Sequence, residues 1–270
     1  MKQILWVFTI FFLNHYSVTA HGPVHEAIIE LTKEIESAPD SVFLYFERGA
    51  LYKIDEDFDR AISDFEQVLS MDNSIHSATF QLADIYFKKK NLLKSSAYTN
   101  SYIKVQPNKA AGYQLRGSLK IQQGQVEAAV SDFKKVIQIR GNRIVPSEVL
   151  QLSQLLNIRH PNQAIEMLEY GLEILPANVS LGASLIDLTI TAGNYQKAMD
   201  QVDQILSTVP RKEFWLLKKA EVFEAMGDCE QAKTTYNHSL LEIASLKRKS
   251  KQTTFVQNIQ EQALFALQYL

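Results

Sequence analysis

A small residue returns along this chain every 34 or 35 positions, as Ala61, Ser95, Ala129, Ala164, Ala198 and Ala232. Four residues after each stands Phe65, Thr99, Phe133, Leu168, Val202 or Tyr236, and twelve after each stands Asn73, Pro107, Gly141, Pro176, Pro210 or Ala244. Five of those last six are poor helix formers or helix breakers, so the punctuation falls where a helix must stop. A step held for six cycles predicts one supersecondary unit laid down repeatedly, in which each copy buries its apolar face only against its neighbours.

Within one period the apolar residues follow helical spacing twice. Tyr45, Gly49 and Tyr52 mark a first helix, "IDED" a turn, and Phe58, Ala61, Phe65 and Val68 a second helix. Gly124, Gly193 and Gly227 fall at one equivalent turn position, as a helix end of positive φ requires. Small residues at Gly49, Ala83, Gly117 and Ala220 recur in the first helix, where a minimal side chain lets the partner helix come close.

These features resemble the tetratricopeptide repeat, an aromatic, Leu-Gly, Tyr, Ala-x3-Phe and Pro pattern over 34 residues. "YFERGALY…AISDF" (Tyr45 to Phe65) and "YQLRGSLK…AVSDF" (Tyr113 to Phe133) carry the likeness best. The resemblance implies an all-α, right-handed superhelical solenoid of antiparallel helix pairs. Its expected parts are a leading half-repeat at 21–41, six repeats at 42–75, 76–109, 110–143, 145–178, 179–212 and 213–246, and a basic turn with a capping helix at 247–270. Repeat four departs from the pattern, with Glu148 in place of an aromatic, an insertion near Ile144 and Pro161 expected in its inter-helix turn.

The resemblance also implies a function, the gripping of a peptide or partner helix on the concave face lined by the first helices. Carried over by position, repeat one offers Phe43, Phe46, Ala50, Lys53 and Ile54, and repeat two offers Ser77, Phe80, Asp84, Phe87 and Lys88. Phe43, Phe46, Phe80 and Phe87 are the expected apolar anchors, with Lys53, Asp84 and Lys88 setting polarity. Phe46, Ala50 and Leu115 stand where a carboxylate-clamp subgroup has Lys, Arg or Asn, so that activity is not expected.

Residues 1–20 read as a secretory signal peptide. Lys2 is the basic start, Ile4 to Leu13 the apolar run, and Val18-Thr19-Ala20 the small-residue end. Ten helical residues reach about 15 Å, half of the ~30 Å bilayer core, so no transmembrane helix is expected once the leader is cut after Ala20. The expected location is periplasmic or secreted. The single cysteine, Cys229, allows no intramolecular disulfide and is read as a small apolar residue in its helix.

The remaining signals are weaker. A new N-terminus "HGPVHE" would bring His21, His25 and Glu26 near one another, an alternative metal-handling reading that lacks a rigid frame and a further ligand. Net charge is −2 and pI about 6.3, so the chain lacks the basic footprint of a nucleic-acid binder. Lys247 to Lys251, "KRKSK", is the one basic run and could touch anionic headgroups. The helix expected at 253–270 closes the array, or docks a partner, a second copy or a membrane surface through its apolar tail. HExxH, GxSxG, GxGxxG and GxxxxGK[ST] are all absent, so no enzyme and no cofactor is expected.

Overall fold

The computed structural model describes residues 22–270, and among these it is all-helical, without a strand. The expected leader and His21 lie outside the described residues. The chain divides into two compact units, Met1–Pro107 and Asn108–Leu270.

The first unit holds α1 (Gly22–Ser37) and two helix pairs, α2 (Val42–Ile54) with α3 (Phe58–Met71), and α4 (His76–Lys88) with α5 (Leu92–Val105). Helix α1 falls within the expected leading half-repeat and stops at Ser37, because Pro39 turns Ala38 away from helical geometry. Its Ile28 and Ile35 are buried, and Ile28 joins a core of Tyr52, Phe65, Val68, Leu82 and Tyr86.

The second unit holds four further pairs and a closing segment. They are α6 (Ala110–Gln122) with α7 (Val126–Arg140), α8 (Pro146–Asn157) with α9 (Pro161–Ile174), α10 (Val179–Thr191) with α11 (Tyr195–Thr208), and α12 (Glu213–Met226) with α13 (Cys229–Ser245). A short 3-10 turn, Gly141–Arg143, precedes α8, and the chain ends with α14 (Arg248–Lys251) and α15 (Thr254–Tyr269). Val256, Ile259 and Ala263 of α15 close a core made by Leu217, Ala220, Tyr236 and Ile243.

The residues that set the period are the deepest ones. Ala61, Ser95, Ala129, Ala164, Ala198 and Ala232 are each 0% exposed. At those points the facing helix is close enough to decide what fits. A Cβ placed on Gly117 would stand 2.8 Å from Cε2 of Phe133, inside any real contact distance. One on Gly49 would stand 3.1 Å from Cβ of Asp64 and 3.3 Å from the Phe65 ring.

Beside each of these glycines an arginine clamps the second helix. Arg48 donates from Nε and Nη2 to Asp64 at 2.8 and 2.7 Å, and Arg116 donates from Nη2 to Asp132 at 2.6 Å. Such two-pronged contacts are geometrically specific, and both carboxylates are buried. Arg48 also reaches Thr32 Oγ1 at 3.2 Å, which ties α1 to the first pair. The Asp64 hydrogen bond raises the Arg48 pKa above its ordinary value, against the opposing effect of burial.

The inter-helix turns share one backbone solution. Gly124, Gly193 and Gly227 have φ of +73, +73 and +79°, and Glu56 and Lys90 occupy the same position at +60 and +58°. In four of these turns the next N–H reaches back five residues, as Gln125 to Lys120 at 2.8 Å and Asn91 to Tyr86 at 2.9 Å, which closes the helix end. An L side chain in this region costs about 1 kcal/mol or more, so Glu56 and Lys90 are strained where the glycines are not.

Repeat four corrects the reading made from spacing. Helix α8 begins 36 residues after α6, while α9 begins 35 after α7, so the helix pair is one residue tighter and starts at Pro146. Pro161 is not in the turn but is the first residue of α9, where its missing N–H would have had no helical partner. The shift places Ser153 at the small position of the first helix, and its hydroxyl donates to the Ala164 carbonyl at 3.2 Å. Glu148 is buried where an aromatic was expected, and it accepts from Arg140 at 2.9 Å and from the Val145 N–H at 3.2 Å.

Two outcomes follow for chemical denaturation. Gly117→Ala should lower stability by about 1–2 kcal/mol, as the clash with Phe133 outweighs the ~1 kcal/mol helix-propensity gain. Lys90→Gly should raise it by about 0.5–1 kcal/mol through relief of the positive-φ strain. The urea midpoint measures both, with an unchanged slope as the control.

Candidate functional site

The face expected to bind lies wholly in the first unit, on α2 and α4. Phe43 stands clear of the fold at 67% exposure, and Ile54, at the other end of α2, is 64% exposed. Phe46 is half-buried, with its ring edge-on to Phe65 at 5.4 Å and 71°. Phe80 is half-buried as well, tilted against Tyr102 at 5.0 Å, and Phe87 is likewise half-covered. Phe46 and Phe80 therefore each rest on the second helix of their own repeat and show only part of the ring to solvent.

The polar members meet. Lys53 Nζ lies 2.5 Å from Asp84 Oδ2 and donates to Gln81 Oε1 at 2.6 Å, which bridges α2 to α4. Lys88 sits 4.0 Å from the same Asp84 oxygen with its side chain 48% exposed, at the outer limit of pairing. Two cations thus share one carboxylate, so the cluster is locally positive. Gln81 was missed from the sequence, because a glutamine on a solvated helix gives no signal of its own. The Arg48–Asp64 pair was present there only as the repeated "RG" and "SDF".

The other candidates are separate from this face. His25 and Glu26 are exposed in the first turns of α1, and among the described residues no group of three His, Cys, Asp or Glu is placed to hold a metal. Cys229 is exposed, contrary to the apolar reading, because as the first residue of α13 it projects from the helix end rather than onto the Ala232 stripe. Lys247, Arg248 and Lys249 are exposed on and beside α14. No described helix is long and apolar enough to cross a membrane.

Known proteins agree with this geometry at the level of family and fold. Sequence descriptions of the tetratricopeptide repeat match residues 44–75 and 110–143, and a second such description matches 216–238. The chain therefore carries tetratricopeptide repeats in these three segments. Among solved structures it is similar to a tetratricopeptide repeat protein from Parabacteroides merdae, at 15% identity and a TM-score of 0.52, over 90% of this chain and 93% of that one. PilF of Pseudomonas aeruginosa is similar at 17% identity and a TM-score of 0.51, over 88% and 99%. MamA of Desulfovibrio magneticus RS-1 is similar at 17% identity and 0.52, over 59% and 89%. No curated protein matches the sequence. Repeats of this family are in general scaffolds for contact between proteins.

The two ion-pair clusters differ in depth, and a double-mutant cycle separates them. Lys53 and Asp84 should couple by about 0.5–1 kcal/mol, falling in 1 M salt, because the Asp84 carboxylate is partly open to water at 26% where Asp64 is at 5%. Arg48 and Asp64 should couple by about 2–3 kcal/mol with little salt dependence, since removing either leaves a charge in a dry site.

Proposed function

We propose that the protein is exported by residues 1–20 and then holds an extended or helical peptide of a partner protein along the α2–α4 face. The observation that carries the reading is the pairing of open apolar residues with a fixed polar cluster. Phe43 and Ile54 lie open at opposite ends of α2, with Lys53, Asp84 and Lys88 held beside it. Water-exposed aromatics next to fixed polar groups are typical of binding surfaces, where rings supply area and charges supply register. Lys88, loosely held by Asp84, is the cation available to a carboxylate on the ligand.

Phe46 and Phe80 contribute to this face as its floor. Truncating them would open space against Phe65 and Tyr102, so a lost interaction in such variants would mix binding with stability. Phe43 and Lys88 are the clean positions, because neither is built into the core.

The test is selection of peptides from a displayed random library by the chain starting at His21. Selected peptides should bind the Phe43→Ala variant at least about 10-fold more weakly and the Lys88→Glu variant more weakly still if acidic, while urea midpoints stay unchanged. Peptides indifferent to both variants would refute the groove assignment. Export is tested by N-terminal sequencing of the protein from outside the cytoplasm, with His21 as the expected first residue.

A further inference from the structure

The last 24 residues carry four cations, Lys247, Arg248, Lys249 and Lys251, and one acidic side chain, Glu261, in a chain whose net charge is −2. The cations are not all alike. Lys251 donates from Nζ to the Ala244 carbonyl at 2.6 Å and so closes the end of α13. Lys247, Arg248 and Lys249 are exposed, and none has a side-chain partner among the described residues. Many lysines and arginines elsewhere lean on a carboxylate, as Lys89 on Asp59, Lys197 on Glu169 and Lys219 on Asp203.

The helix that follows is apolar on two sides. Its inward stripe, Val256, Ile259 and Ala263, is buried in the core. At 100° per residue, Phe265 falls nearly opposite that stripe, with Tyr269 one turn on. They are 63% and 75% exposed and their rings pack on each other at 4.8 Å, with Leu264 next to Phe265 at 46%. The end of a repeat array needs a polar outer face for solubility, and this one presents aromatics and amides with a single carboxylate.

We propose that α14 and the outward face of α15 seat the protein on an anionic lipid surface. Lys247, Arg248 and Lys249 meet headgroup phosphates, while Phe265 and Tyr269, roughly 16 Å or more along α15 from its start, enter the headgroup boundary. Neither α14 nor α15 is long and apolar enough to cross a bilayer, so the contact they make is peripheral. Charge decides between a lipid and a second copy of the chain. A second copy brings the same excess of cations and one more Glu261, whereas an anionic leaflet offers dense negative charge to all three free cations at once.

The experiment is vesicle co-sedimentation of the chain from His21 onward, which contains every described residue and so the whole core. Vesicles of phosphatidylcholine alone are compared with vesicles containing 3 parts in 10 phosphatidylglycerol (about −30 mV or more at the surface). Binding should require the anionic lipid and weaken with salt. Each cation removed should lower the partition coefficient about fivefold, so Lys247→Gln/Arg248→Gln/Lys249→Gln should lower it about 100-fold. Phe265→Ser/Tyr269→Ser should weaken binding at unchanged charge. Those positions are exposed, so helicity by circular dichroism should not change; should the aromatic variant misfold, the glutamine variant alone decides. Equal binding to neutral vesicles, or binding indifferent to the glutamine variant, would overturn the proposal. So would a dimer in sedimentation analysis that the aromatic variant dissolves, with no vesicle binding.

Discussion

One distance per repeat governs the rest of this structure: the separation of the two paired helices at their small residues. Packed helices lie roughly 8–10 Å apart, depending on what stands at the contact. Here Gly49 or Gly117 faces a phenylalanine ring, and alanine or serine occupies the second helix. That closeness is what lets Phe65 and Phe133 sit flat in the core at 0 and 1% exposure. It also lets an arginine one residue earlier span to the neighbouring helix with both prongs. In the second repeat the Ser95 hydroxyl donates to the Ala83 carbonyl at 2.8 Å, and Ser153 does the same from the other helix in repeat four. Serine satisfies its own hydroxyl there because the facing backbone is within reach.

The same distance explains what could be read from the sequence. A position at 0% exposure against a facing backbone accepts few side chains, so its period survives as Ala, Ala, Ser, and a 34-residue step is visible without any structure. Helix ends were legible because proline and glycine act locally. Repeat four was misread since the connection before α8 grew while the helix pair shortened. The Ala164 spacing therefore changed by one residue only, and Ser153 fell outside the frame. The side of a helix end was not legible either. Cys229 matched the period, yet a first-turn residue projects past the stripe that the period describes.

The grouping of the α2–α4 side chains was legible in position but not in depth. Spacing correctly set Lys53, Asp84 and Lys88 near one another, because residues at matching places in successive first helices are neighbours. It could not show that Phe46 and Phe80 lean on Phe65 and Tyr102, since ring depth depends on the size of the side chain beneath. Where that side chain is large the ring is lifted only partly into water. Thus the second helices determine how much of each aromatic the first helices display.

Core residues and surface residues answer to different demands, and α15 shows the difference within one helix. Val256, Ile259 and Ala263 suffice to cover Leu217, Tyr236 and Ile243, so the closing of the core is complete on one side. Phe265 and Tyr269 add nothing to that closure, because their nearest ring contact is with each other. Two exposed rings carry a hydration cost that no folded contact offsets. The lipid contact proposed above would cover these rings and supply the counter-charge for Lys247, Arg248 and Lys249.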